Sequence, residues 1–101
     1  MAFQKVASVG DIPAGSLKVY EVGDKAVAVC NVSGNYYAIE DVCTHDFASF
    51  EQGELDGCEI ECPRHGARFD VTDGSATELP AVVPVDTFTV RVEGDAIEVD
   101  I

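Results

Sequence analysis

The chain contains two histidines, and each lies within three residues of a cysteine. Cys43-Thr44-His45 reads C-x-H, and Cys62-Pro63-Arg64-His65-Gly66 reads C-x-x-H, with sixteen residues between His45 and Cys62. Two short loops, each offering one soft thiolate and one imidazole, can converge on a single inorganic centre. Any fold for this chain must then bring residues 43–45 and 62–65 together. Three uses of such a set come into consideration. Tetrahedral zinc accepts two cysteines and two histidines. Zinc knuckles, however, usually pair like ligands, and C-x-H is tight for two ligands on one ion. A catalytic cysteine–histidine pair leaves the second pair without a use. A two-iron cluster with thiolates on one iron and imidazoles on the other lets each loop send one ligand to each metal.

The residues on either side read as strands and turns. Leu17–Val22 is rich in β-formers and ends at Gly23-Asp24, and Ala26–Asn31 forms the next strand. Ser33-Gly34-Asn35 turns the chain into Tyr36–Ile39. Thr87–Val92 alternates polar and apolar residues, Glu93-Gly94-Asp95 turns, and Ala96–Ile101 alternates again. Alternation of this kind marks strands with one buried face. Asp11–Gly15 is a turn, and Leu79–Pro84 is a proline-marked connection. Residues 46–57 fit either a loop or one short helical turn. No stretch has sustained helical periodicity and no segment repeats. The expected organisation is all-β at both ends, with an irregular insertion carrying the cysteine–histidine pairs.

Length and charge narrow the function. With 101 residues, the chain suits one domain with a modest core. Its formal net charge of −13 opposes binding to nucleic-acid phosphates and to anionic membrane surfaces. The same charge either serves solubility alone or steers the chain toward basic partner surfaces. No apolar run approaches the ~20 residues of a membrane-spanning helix. The start, Met1–Val6, lacks the apolar stretch of a secretory signal, which points to the cytoplasm. Cys30 and Cys58, the two remaining cysteines, are then expected as free thiols and not as a disulfide.

Cys43-Thr44-His45 and Cys62-Pro63-Arg64-His65-Gly66 resemble the two cluster-binding boxes of the Rieske family, in order and at family-like separation. Gly66-Ala67-Arg68-Phe69-Asp70 and Asp73-Gly74 resemble the segment after the second box, and Leu79-Pro80-Ala81 resembles the loop that covers the cluster. The resemblance spans the whole chain. It implies a single Rieske domain: an antiparallel β-sandwich base from about 1–42 and 76–101, and a cluster-binding insertion over about 43–75. It also implies one [2Fe–2S] cluster, with Cys43 and Cys62 on the inner iron and His45 and His65 on the outer iron. With nothing left over for a catalytic domain, the chain is most similar to the ferredoxin component of multicomponent aromatic-ring dioxygenases. Such a component is not itself an enzyme. It carries single electrons from a flavoprotein NAD(P)H reductase to a terminal oxygenase. A small subunit of a nitrite reductase and a structural zinc module remain as alternatives.

Departures from the family's high-potential members set a further expectation. Those members carry an extra, disulfide-linked cysteine in each loop, where this chain has Ala48 and Arg64. They also carry hydroxyl side chains bonded to cluster sulfurs, where this chain has Ala67 and Phe69. Fewer hydrogen bonds to sulfur favour the low end of the Rieske range, which runs from roughly −150 to +300 mV. Asp46, Glu51, Glu54, Asp56, Glu59 and Glu61, with no Lys or Arg between them, form either an acidic docking rim or a solvated loop. Phe47 and Phe50 are expected to pack over the cluster, Arg64 to lie at the surface, and Pro63 and Gly66 to shape the second turn.

Overall fold

The computed structural model describes residues 2–44, 48–64 and 66–101, all in strands, turns and irregular segments. Four strands come first: β1 (Phe3–Ser8), β2 (Leu17–Val22), β3 (Lys25–Val32) and β4 (Asn35–Glu40). The middle of the chain forms β5 (Glu54–Asp56), β6 (Glu59–Glu61), β7 (Arg68–Asp70) and β8 (Ala76–Glu78). It closes with β9 (Thr87–Phe88), β10 (Val90–Glu93) and β11 (Ala96–Asp100). They assemble into three antiparallel sheets, ordered β1-β11-β10, β2-β3-β4-β9 and β5-β6-β7-β8. The all-β expectation is met, and among the described residues no helix is long and apolar enough to cross a membrane.

The centre of this arrangement is β3. Its run Val27-Ala28-Val29-Cys30-Asn31 is buried at every position. Successive side chains of a strand point to opposite faces, so an unbroken apolar run needs a core on each side. Val27 and Val29 join Ala7, Ile12, Val22, Ala38, Ile97 and Val99 in one core. Ala28 and Cys30 join Ile39, Cys43, Phe50, Ile60, Cys62 and Phe69 in the other. The second core therefore sits between the central sheet and the segment that carries both cysteine–histidine motifs.

Local chemistry sets the turns. Ser33 and Gly34 have φ of 53° and 93°, the two positive values a type I′ hairpin turn requires. Buried Asn31 supports this turn by accepting from Gly34 N at 2.8 Å, and its Nδ2 donates to Ile12 O at 2.8 Å. Residues 46–57 contain no helix among those described; the segment ends in β5. The expected strand over 87–92 is split instead. Thr87–Phe88 pairs with β4 in the central sheet, and Val90–Glu93 pairs with β11 in the outer one. Phe88 and Val90 both pack on the same core, so the alternation stays in phase while the hydrogen-bond partner changes. The pattern gives no warning of that switch.

Cys30 and Cys58 are free thiols, as expected, but in opposite settings. Cys30 is fully buried, and burial pushes its thiol up to about 12. Cys58 is exposed. Native protein treated with iodoacetamide at neutral pH should take one label, on Cys58, read by peptide mass spectrometry. Labelling of Cys30 at a comparable rate would contradict its burial.

Gly74 has φ +81°, and a Cβ there would drive into the backbone oxygen of Val85, whose N–H donates to Gly74 O at 2.8 Å. Gly34 also has positive φ but open space around it. Gly34→Ala should therefore cost about 1 kcal/mol, and Gly74→Ala at least about twice that. At roughly 4–8 °C per kcal/mol, thermal melts separate the two. Equal losses would show that the approach to Val85 is easily relieved.

Candidate metal centre

Two loops of the same length build the site. The backbone N–H of Cys43 donates to Ala48 O at 2.8 Å, and that of Cys62 donates to Ala67 O at 2.7 Å. Each loop thus runs from a cysteine to an alanine five residues later, and both ends are tied by one bond. Cys43 and Cys62 are completely buried and belong to the same core. The structure thus places both thiols in one core. His45 and His65 lie outside the described residues, as do Asp46 and Phe47.

Each loop has its own support. Asp41 holds the first: its Oδ2 accepts from Ser49 Oγ at 2.6 Å, and its Oδ1 accepts from Phe50 N at 2.7 Å. This clamp seats Phe50, which is fully buried and meets Phe69 edge-to-face with ring centroids 5.5 Å apart. Such a pair adds about 0.5–1.5 kcal/mol beyond the area it buries. Phe50 therefore walls the core that contains both thiols and leaves no surface for docking. Gly66 turns the second loop with φ +74°, the conformation that favours glycine, and Pro63 and Arg64 are exposed.

The proline-marked connection lies against the first loop. Thr44 Oγ1 donates to Val83 O at 2.6 Å, and Val85 N donates to Gly74 O. Ala81 and Val85 point into the core shared with the two cysteines, while Leu79, Val82 and Val83 are exposed. The connection is thus pinned beside the site, with apolar side chains facing solvent.

The acid-rich segment differs from its sequence reading. Arg68 reaches back from β7 and pairs with Asp56 at 3.1 Å, Glu59 at 3.3 Å and Glu61 at 2.9 Å. Three of the six acidic residues are therefore neutralised in part by a cation that lies beyond the second motif. The contacts of three supporting residues escaped sequence reasoning: those of Asp41, Gly74 and Arg68, although the last two lie in segments that carry the family resemblance. Asp41 acts on residues eight and nine positions on, and Gly74 on Val85, so neither contact leaves a local signature. Arg68 had one, as the only Lys or Arg on the four short strands β5–β8.

The chemistry of the described donors suits a soft metal centre. Two thiols at equivalent positions of two closed loops, buried together, match thiolate ligation of iron or zinc. Among the described residues, no set of three or more His, Cys, Asp or Glu side chains gathers as metal ligands would.

Known proteins place this architecture. The Rieske [2Fe-2S] domain matches residues 2–89. The ferredoxin component of biphenyl 2,3-dioxygenase from Rhodococcus jostii (strain RHA1) is 41% identical over 101 residues, covering 100% of this chain and 94% of that protein. The solved ferredoxin of carbazole 1,9a-dioxygenase from Nocardioides aromaticivorans IC177 superposes with a TM-score of 0.93 at 35% identity, covering 98% of this chain and 97% of its own. A structure of reduced oxygenase with oxidised ferredoxin in carbazole 1,9a-dioxygenase matches at TM-score 0.90 and 39% identity, over 96% of this chain and 91% of that one. With its two equivalent cysteine loops, its three-sheet fold and this family match, the chain belongs to the Rieske [2Fe–2S] domain family.

Proposed function

We propose that this chain is a one-electron carrier of an aromatic-ring oxygenase system, taking electrons from a flavoprotein NAD(P)H reductase and delivering them to a terminal Rieske-type oxygenase. Cys43 and Cys62 hold one iron of a single [2Fe–2S] cluster, and His45 and His65 hold the other. The observation that carries the reading is the pair of closed Cys-to-Ala loops, which bury one thiol each in a shared core. The relatives named as ferredoxin components match nearly the full length of this chain, which supports a carrier and not a catalytic subunit. A small chain of net charge −13 fits exchange between protein partners.

The cluster, when bound, supplies reversible one-electron chemistry. The chain's own residues supply position, dryness and field. Burial of Cys43, Cys62, Phe50 and Phe69 keeps water from the thiolate side. The N–H groups of Cys43 and Cys62 are committed to loop closure, and Ala67 and Phe69 have no hydroxyl to donate. Without those hydroxyl donors, and on a strongly acidic chain, the added negative charge is disfavoured and the potential stays low.

Purified holoprotein should contain two irons per chain. When reduced with dithionite, it should give a paramagnetic resonance spectrum whose average g lies well below that of an all-cysteine cluster. Its midpoint should fall below 0 mV. Stoichiometric zinc with a silent spectrum would replace the electron carrier with a structural module. Reconstitution with a reductase and a terminal oxygenase of the biphenyl or carbazole type should restore NAD(P)H-dependent oxygenation that neither partner performs alone. The transfer rate should decline as salt rises from about 0.05 to 0.5 M, because screening weakens steering by the acidic surface. A rate indifferent to salt would remove electrostatics from docking.

A further inference from the structure

The short sheet β5-β6-β7-β8 is built against its own electrostatics. Its register sets Glu54 opposite Glu61, Asp56 opposite Glu59, and Glu59 opposite Asp70. Like charges directly opposite on neighbouring strands repel and destabilise the pairing. The inward residues between them, Ile60 and Phe69, must nevertheless stay aligned to wall the core that holds Cys43 and Cys62.

Arg68 resolves the conflict. Nη1 donates to Asp56 Oδ2 at 3.1 Å and Glu59 Oε1 at 3.3 Å, and Nη2 donates to Glu61 Oε1 at 2.9 Å. One planar guanidinium thus ties three strands. Hydrogen bonds donated to Asp56, Glu59 and Glu61 raise its already high pKa, so its charge is permanent. Its place in the chain matters as much as its partners. Glu61 precedes Cys62, Arg68 follows Ala67, and Cys62 N–H bonds to Ala67 O. The 2.9 Å ion pair is therefore the next rung below the bond that closes the second loop.

We propose that Arg68 is a positioning residue for the metal centre: it latches the base of loop Cys62–Ala67 and supplies the positive charge that offsets the acidic sheet, holding the reduction potential above the value that sheet would impose. This inference rests on the cluster assignment made above. An added electron is stabilised by a nearby cation and opposed by nearby carboxylates.

Holoprotein variants test it, read by redox titration at low and high salt and by the rate of iron loss to a chelator. In R68Q the reduced-to-oxidised ratio at a fixed potential should fall about threefold, a midpoint lower by about 30 mV at 59 mV per tenfold. E59Q, which keeps Arg68, should shift the midpoint the other way, and it reads the same field if R68Q loads iron poorly. The R68Q shift should shrink at high salt. R68K should keep the midpoint but lose iron faster, because an ammonium carries the charge without the fork. K5Q, on the outer strand β1, should change neither reading. Midpoints of R68Q and E59Q equal to the parent's would overturn the proposal and leave Arg68 a purely structural clamp. A parent protein lacking the mixed-ligand resonance would instead overturn the cluster assignment itself.

Discussion

Two backbone hydrogen bonds, Cys43 N–H to Ala48 O and Cys62 N–H to Ala67 O, determine how the rest of the chain must be arranged. Each converts six residues into a closed loop and leaves its cysteine at the buried end. Once both thiols face inward, the surrounding residues need to be apolar and buried. Phe50, Ile60, Phe69, Val71, Ala81 and Val85 meet that need from four separate stretches of sequence. The supporting polar contacts are then placed at the loop margins: Asp41 before the first, Arg68 after the second, and Thr44 toward the proline-marked connection. Hydrogen-bonding groups at the margins spare the core from unpaired polar atoms.

The balance of charge follows from the same division. Strands of three residues cannot gain much from packing alone, and β5–β8 expose one acidic face after another. A negative surface suits encounter with basic partners but opposes both sheet pairing and electron uptake. Concentrating three carboxylates on one guanidinium moderates the local cost while the chain as a whole stays at −13. Long-range steering and local pairing are thereby served by different subsets of the same charges.

The architecture was legible to different degrees along the chain, for physical reasons. Cys43 and Cys62 stood out because each is followed, two or three residues on, by one of the chain's two histidines, a spacing of rare residue types. Hairpins such as the one through Ser33-Gly34 were visible because positive φ restricts composition. The split of Thr87–Val92 between two sheets was not visible, since side-chain alternation reports a buried face and says nothing about which strand accepts the hydrogen bonds. The Asp41 clamp, the Gly74–Val85 contact and the fork of Arg68 depend on tertiary approach, and a single acidic, glycine or arginine residue has too many other uses to announce such a role. Reading the acidic segment without Arg68 overstated its free charge, because the compensating residue lay outside the segment.

The double burial of β3 carries a consequence for cooperativity. Val27 and Val29 belong to one core, and Ala28 and Cys30 to the other, so both cores share a single backbone. Freeing that strand from the metal-binding side exposes alternate residues of the same peptide that the sandwich base relies on. Partial opening of one half is therefore penalised by the other. Because one backbone serves both cores, the most ordinary-looking strand in the sequence ties the burial of Cys43 and Cys62 to the stability of the scaffold.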